Sequence, residues 1–497
     1  MFFDKKLSLP KWVWIVILVS LVALPTSAAD QRTNIILIMA DDVSPDIYGV
    51  YGQPAAAKTP NVDRLASQGV TFKTAWATAM CGSSRVEIMT GRYANTTGVY
   101  HNRIWIGDSG GNVYTDNIGF SKILHEAGYA TAITGKWHAG VQQPYEDVLA
   151  FEEYALWENL KEIAKLPGSP KFTGLLEDET TTSRYWHPAY VVNGQLLDTQ
   201  PEDFSLDIEA EFIKDFMSRS VAAGKPFLAY WPTVAPHGTR TGQPTNPLRG
   251  EPGVLGDSPT SEENEARFRS LNEYLDLKIG EVMAKVDELG IADNTVIIFV
   301  SDNGTAVTAK TRGVERGPHV VFVAAGKGIK NLGITDELTD FSDIAPTLIE
   351  IAGAENSIPQ ATKFDGKSLM PFLSGQTESH REWIYAYIAG SQLLRTKDYM
   401  LEVVNPVLGT PKGRFYHTGN NRFGHGYVLV GDQQEHQAAR QRFDEILAQY
   451  SPLTRDHEFF KSKKGKKFLA EYEQPKSREK HLYSHKDYDF YDQTYVE

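Results

Sequence analysis

Five short, unbroken apolar runs constrain this chain more than any other feature: 34–40, 130–134, 227–231, 295–300 and 320–324. A strand with one wet face alternates apolar and polar residues. A run that is apolar on both alternating sets of positions needs cover on both faces, which is the habit of parallel strands inside a sheet. Helical patterns lie between the runs. Thr59-Pro60 opens one that stops at Gly69; 205–217 carries Leu206, Ile208, Phe212, Ile213 and Phe216; 268–289 ends at Gly290. Strands alternating with helices predict an α/β fold, a large mixed and mostly parallel sheet sandwiched by helices.

The composition shifts near residue 375. Runs 383–388 and 399–404 are strand-like, 394–398 reads as a turn between them, and 437–449 as a helix. These predict a smaller C-terminal antiparallel α+β domain. At the other end, Lys5, Lys6 and Lys11 precede the apolar run 12–24, and Ser27-Ala28-Ala29 come after it. A basic start, a short apolar middle and small residues describe a secretory signal peptide. The run is shorter than the roughly 20 residues of a membrane span; an uncleaved anchor is the alternative. The expected organisation is a signal peptide over 1–29, a catalytic domain over 30–378, a C-terminal subdomain over 379–455 and a charged, aromatic tail over 456–497. The mature protein is expected in the periplasm or secreted, with no stable membrane span after cleavage. A formal net charge of −13 argues against nucleic acid as a partner. The basic run 461–467 reads as a solvated surface.

The polar residues just beyond each apolar run carry the chemistry. Asp41-Asp42 succeed the first, Gly135-Lys136-Trp137-His138 the second, Pro236-His237 the third at a short distance, and Asp302-Asn303-Gly304 the fourth. Ligands of open α/β sheets bind outside the carboxyl ends of the strands. One such pair would be a helix cap or a turn; four of them point to one rim. Asp41, Asp42, Asp302 and Asn303 offer only oxygen, which favours a hard divalent cation, Ca²⁺ before Mg²⁺. The single cysteine, Cys81, opens Cys81-Gly82-Ser83-Ser84-Arg85. It has no disulfide partner within the chain. Ser84-Arg85-Val86-Glu87 reads as a capping box, with Gly91 placed to stop the helix. Cys81 would then stand at a helix N-terminus, where an anion is favoured.

These residues resemble the type I, formylglycine-dependent sulfatases of the alkaline-phosphatase-like superfamily, from about Asn34 to Gly375 and more faintly to about Tyr450. In that family the cysteine of a Cys-x-Pro-Ser-Arg motif is oxidised by a maturation enzyme to formylglycine, whose hydrated aldehyde is the nucleophile. Cys81, Ser84 and Arg85 match the motif, while Ser83 stands where proline is usual. Gly135-Lys136-Trp137-His138, Ser301-Asp302-Asn303-Gly304 and Lys310 with Glu315 and Gly317 resemble further family motifs, and Asp343, Pro346 and Thr347 a structural segment. At His237-Gly238-Thr239 a proline commonly lies two after the histidine, and here Thr239 does.

The resemblance implies a sulfuric ester hydrolase with Cys81, Arg85, Lys136, His138, His237 and Lys310 as catalytic residues. It implies Ca²⁺ on Asp41, Asp42, Asp302, Asn303 and the converted Cys81. His138 would be a base, His237 (protonated in the substrate complex) and Lys310 would hold sulfate and protonate the leaving alcohol, and Lys136 and Arg85 would orient the nucleophile. The expected substrate is a sulfated carbohydrate. The stretches 142–200 and 238–264, with Trp186, His187, Arg240 and Arg249, would shape the pocket, and Arg312 could grip a neighbouring anion. Two alternatives stay open. One is a phosphodiesterase or phosphonate monoester hydrolase of the same superfamily; the other is a non-catalytic binder of sulfated glycans with Cys81 unconverted.

Overall fold

A computed structural model describes residues 32–478 apart from 54–55, 103, 106–112, 238–260, 306–308, 420–426, 432 and 476. The signal peptide, Thr239, Arg240, Arg249 and the end of the tail therefore lie outside the described residues.

The chain runs through β1 (Asn34–Ala40), α1 (Pro60–Ser67), β2 (Val70–Trp76), α2 (Cys81–Thr90), α3 (Phe120–Glu126) and β3 (Ala130–Gly135). It continues through β4 (Glu153–Trp157), β5 (Tyr190–Val192), β6 (Gln195–Leu196), α4 (Ser205–Ala222), β7 (Phe227–Pro232) and α5 (Ser261–Glu288). Then come β8 (Thr295–Ser301), β9 (His319–Val320), β10 (Phe322–Gly326), β11 (Gly333–Asp340) and α6 (Ile344–Ala352). These strands form one 11-stranded sheet in the order β9-β2-β10-β8-β1-β7-β3-β4-β5-β6, with β11 also paired to β2.

The five strands β8, β1, β7, β3 and β4 are mutually parallel. β1, at the middle, is buried at every residue. Its side chains split between two cores: Ile35, Leu37 and Met39 pack with α3 and α6, and Ile36, Ile38 and Ala40 pack with α4 and α5. This is the two-sided cover that an unbroken apolar run requires. The run at 320–324 departs from expectation. It is split into β9 and β10, which run antiparallel to β2, and β10 runs antiparallel to β8.

The second sheet is antiparallel: β12 (Ile384–Ile388), β13 (Ser391–Arg395), β14 (Tyr399–Val404), β15 (Arg414–His417) and β16 (Val428–Leu429). Helices α7 (Gln434–Leu447) and α8 (Lys463–Tyr472) come after it. Leu394 and Arg395, expected in a turn, instead end β13, and the turn begins at Thr396. The basic run at 461–467 is largely exposed, as expected of a solvated face. Among the described residues no helix is long and apolar enough to cross a membrane.

Candidate active site

The parallel strands end at one rim and their successors meet there. The backbone N–H of Asp41 donates to Ala235 O (2.8 Å), that of Asp302 to Ala40 O (3.0 Å) and that of Lys136 to Pro232 O (2.7 Å). Neighbouring strand ends are thus tied to one another just where the polar residues begin. Three residues of this rim hold left-handed backbone without being glycine: Asp42 (φ 66°), His138 (φ 46°) and Thr311 (φ 69°). Such conformations cost free energy and gather at functional sites.

Arg85 is the hub. It lies in the second turn of α2, fully buried. Its Nε donates to Asp302 Oδ2 (3.0 Å), Nη1 to Lys136 O (2.7 Å) and Nη2 to Asp41 Oδ2 (3.2 Å). One side chain therefore binds three strand ends. Lys136 Nζ also donates to Asp41 Oδ2 (2.5 Å). Lys310 Nζ reaches both oxygens of Asp42 (2.6 and 2.8 Å), and His237 Nε2 lies 3.5 Å from Asp42 Oδ2. Asn303 Nδ2 donates to Asp42 Oδ1 (2.8 Å), and Asp42 N to Asp302 Oδ1 (3.0 Å). Cys81 Sγ stands 3.4 Å from His138 Nδ1. The structure thus places the ten predicted residues, Asp41, Asp42, Cys81, Arg85, Lys136, His138, His237, Asp302, Asn303 and Lys310, in two groups of direct contacts. Cys81 and His138 form one, and the rest are linked directly by the bonds above.

The local helix differs from its expected form. Cys81 is itself the first residue of α2, so Ser84 lies inside the helix and cannot cap it. Ser84 Oγ turns back instead, donating to Thr78 O (3.0 Å) and accepting from Thr78 N (3.1 Å). Glu87 does not reach the N-cap; it is buried within the protein, and burial with nearby Asp340 pushes its carboxyl well up. Ser83 also makes no cap bond. It sits in the first turn, where a backbone N–H has no intrahelical acceptor and a proline would lose nothing. Gly91 ends the helix in the left-handed conformation, as the sequence suggested.

Electrostatics divide the site. Burial pushes Asp41 up, yet Lys136, His237 and Arg85 outweigh it and hold the carboxyl well below the usual range. Burial, then the charge of Asp41, pushes Asp302 well above that range. Burial followed by Lys136 lowers both histidines, His138 to about 3 and His237 well below its ordinary value. Protonation of His237, expected of the substrate complex, would need the negative charge that substrate brings. For Lys310, burial is overcome by Cys81 and Asp42, and the ammonium is held up.

Two buried oxygens in this cluster, Asp41 Oδ1 and Asn303 Oδ1, make no hydrogen bond. A buried acceptor left bare is costly, and a hard cation is the partner such oxygens suit. Ligand atoms of Asp41, Asp42 and His237 lie within 4.8 Å of one another, so an imidazole borders the oxygen set.

Sequence reasoning missed Asn102, whose Nδ2 donates to Cys81 Sγ (3.4 Å). It also missed Tyr185, whose hydroxyl donates to His237 O (2.9 Å). Neither residue lies in a run or motif that would announce it. Trp186, expected in the pocket, is instead buried in the core beside Phe204.

Comparison with known proteins gives the family. A family model described as Sulfatase matches residues 33–354. Arylsulfatase A of Bos taurus is 28% identical over 385 residues, covering 73% of this chain and 72% of its own. The solved structure of Ps i-CgsB in complex with k-i-k-neocarrahexaose aligns with a TM-score of 0.60 at 19% identity, covering 94% of this chain and 100% of that one. That of BT4656 in complex with its substrate D-glucosamine-2-N,6-O-disulfate aligns with a TM-score of 0.60 at 18% identity, covering 84% of this chain and 98% of that one. The chain belongs to the sulfatase family, hydrolases of sulfuric esters.

Proposed function

We propose that this sulfatase is exported and hydrolyses sulfate esters of a carbohydrate, with Cys81 oxidised to formylglycine as nucleophile and Ca²⁺ held by Asp41, Asp42, Asp302, Asn303 and the converted residue 81. The observation that carries the metal assignment is the pair of bare, buried oxygens, Asp41 Oδ1 and Asn303 Oδ1, in an all-oxygen set. The carbohydrate assignment is supported by the two sugar complexes among the structural neighbours. Bound there, Ca²⁺ would supply positive charge against sulfate and acidify a nucleophilic hydroxyl, which oxidation of Cys81 would provide in place of a thiol.

The remaining chemistry belongs to the side chains. His138, neutral and 3.4 Å from Cys81 Sγ, accepts a proton from the group at that position. Lys310 and His237 converge on Asp42 and are both more exposed than it is; a sulfate bound beside them would meet both. Lys310 stays charged and stabilises the oxygens on which negative charge develops. His237, once protonated in the field of the bound anion, donates to the departing alcohol oxygen. All three nitrogens of Arg85 are engaged by protein oxygens, so it positions the strand ends rather than touching substrate.

The test is sulfate release from a panel of sulfated sugars, run beside an aryl phosphodiester. Release from a sugar sulfate exceeding phosphodiester cleavage is expected, and Cys81→Ala should lose at least about 1000-fold in kcat. Asp302→Ala should lose both bound Ca²⁺ and turnover. Retained activity in Asp302→Ala would refute the metal assignment, and faster phosphodiester cleavage the substrate class.

A further inference from the structure

The start of α2 lacks the cap its backbone calls for. Met80, at the N-cap position, has no side-chain acceptor to offer, yet the first N–H groups of a helix need partners from outside it. The N–H of Gly82 donates to Asn102 Oδ1 (3.1 Å), a residue 20 positions on. Asn102 stands in the tight turn between the short strands Val99–His101 and Ile104–Trp105. Its carboxamide spans two groups at once, because Nδ2 donates to Cys81 Sγ (3.4 Å). The pairing fixes the orientation of the amide. A backbone N–H requires the oxygen, which leaves the nitrogen facing residue 81.

Gly82 is what admits this side chain. A Cβ on residue 82 would lie 2.6 Å from Asn102 Oδ1. The glycine is therefore needed for space rather than for an unusual φ, and the sequence Cys81-Gly82 is matched to Asn102.

We propose that Asn102 holds the nucleophile. Its carboxamide oxygen caps α2 through Gly82 while its N–H₂ steadies the reacting atom of residue 81, which His138 also contacts. The proposal rests on the sulfatase reading for its catalytic part only. The group at residue 81 is then held by two nitrogens, Asn102 Nδ2 and His138 Nδ1, each 3.4 Å from it, which restricts its orientation toward sulfur. This is orientation applied at the reacting atom.

The test compares Asn102→Ala, Asn102→Asp and Gly82→Ala in the full-length, Ca²⁺-loaded protein. Asn102→Asp keeps an acceptor for Gly82 N–H and loses the donor to residue 81. Hydrogen exchange at the Gly82 amide should quicken in Asn102→Ala and stay as in the wild type in Asn102→Asp. In all three variants kcat should fall about 10- to 100-fold with KM within about threefold, as for loss of one hydrogen bond to a charged reacting group. The fraction of residue 81 present as aldehyde, read by mass spectrometry, should match the wild type. A purely structural role predicts instead that Asn102→Asp restores kcat along with the cap. Unchanged Gly82 exchange in Asn102→Ala, or unchanged kcat at equal conversion, overturns the proposal. If the wild type keeps a thiol and releases no sulfate, the formylglycine reading fails, while Gly82 exchange still decides whether Asn102 holds this helix.

Discussion

At the scale of single residues, Arg85 shows how far side-chain chemistry was legible. Its place four after Cys81 marked it, but the sequence could not say that its guanidinium would be fully buried and shared among Asp41, Asp302 and the carbonyl of Lys136. Arg85→Lys keeps the charge and loses the fork, since an ammonium cannot reach three such partners in fixed directions. Breaking a buried ionic network in this way costs about 3–5 kcal/mol, so the denaturant midpoint should fall together with turnover. Asn102 was illegible because its partners come from a helix start that no sequence pattern tied to it. Glu158 was equally silent. Burial, then the charge of Glu162, pushes its carboxyl up to about 8. Between the ordinary glutamate value and that pH the folded chain binds the extra proton, so stability falls as pH rises through this window. Glu158→Gln should therefore raise the thermal midpoint at pH 9 and leave it unchanged at pH 4.

At the scale of elements, four of the five apolar runs were legible as parallel strands because burial on both faces leaves few polar positions to confuse the pattern, whereas 320–324 is split into the antiparallel β9 and β10. Strands β2 and β11 were not legible. β2 carries Thr71, Lys73 and Thr74 among its apolar residues, and β11 carries Thr335, Asp336 and Glu337. A strand at or near the edge of a sheet tolerates such residues, and the pattern then resembles a loop. The start of α2 was placed too late because Ser84 and Glu87 mimic a capping box, while the actual partners of Ser84 lie outside the helix. Where β3 hands over to Lys136, Gly135 takes φ 106° and passes so close to β7 that a Cβ would lie 2.3 Å from Pro232 O. Gly135→Ala must displace one strand end or the other. The expected outcome is a lower thermal midpoint and a loss of turnover larger than the unfolded fraction accounts for, measured on the same sample.

At the scale of the whole molecule, the C-terminal sheet supports the site that the large sheet carries. Arg395 of β13 is buried and pairs with Glu315, five residues after Lys310, and Tyr427 donates to the same carboxylate (2.7 Å). The N–H of Val403, itself at φ 59°, donates to Gly313 O (3.0 Å). On the other flank, Ala389 N donates to Tyr100 O (2.9 Å), and the Tyr100 and Tyr387 rings meet edge to face. The second sheet thus braces both the Lys310 segment and the hairpin of Asn102. Arg395→Ala should speed hydrogen exchange across 310–317 before it affects β1. The central claim is narrower: catalysis uses an oxidised residue 81. Its most direct test is the mass of the peptide bearing that residue, taken from protein that releases sulfate. The account predicts an aldehyde or its hydrate at residue 81; a wholly unmodified thiol in an active preparation would contradict it.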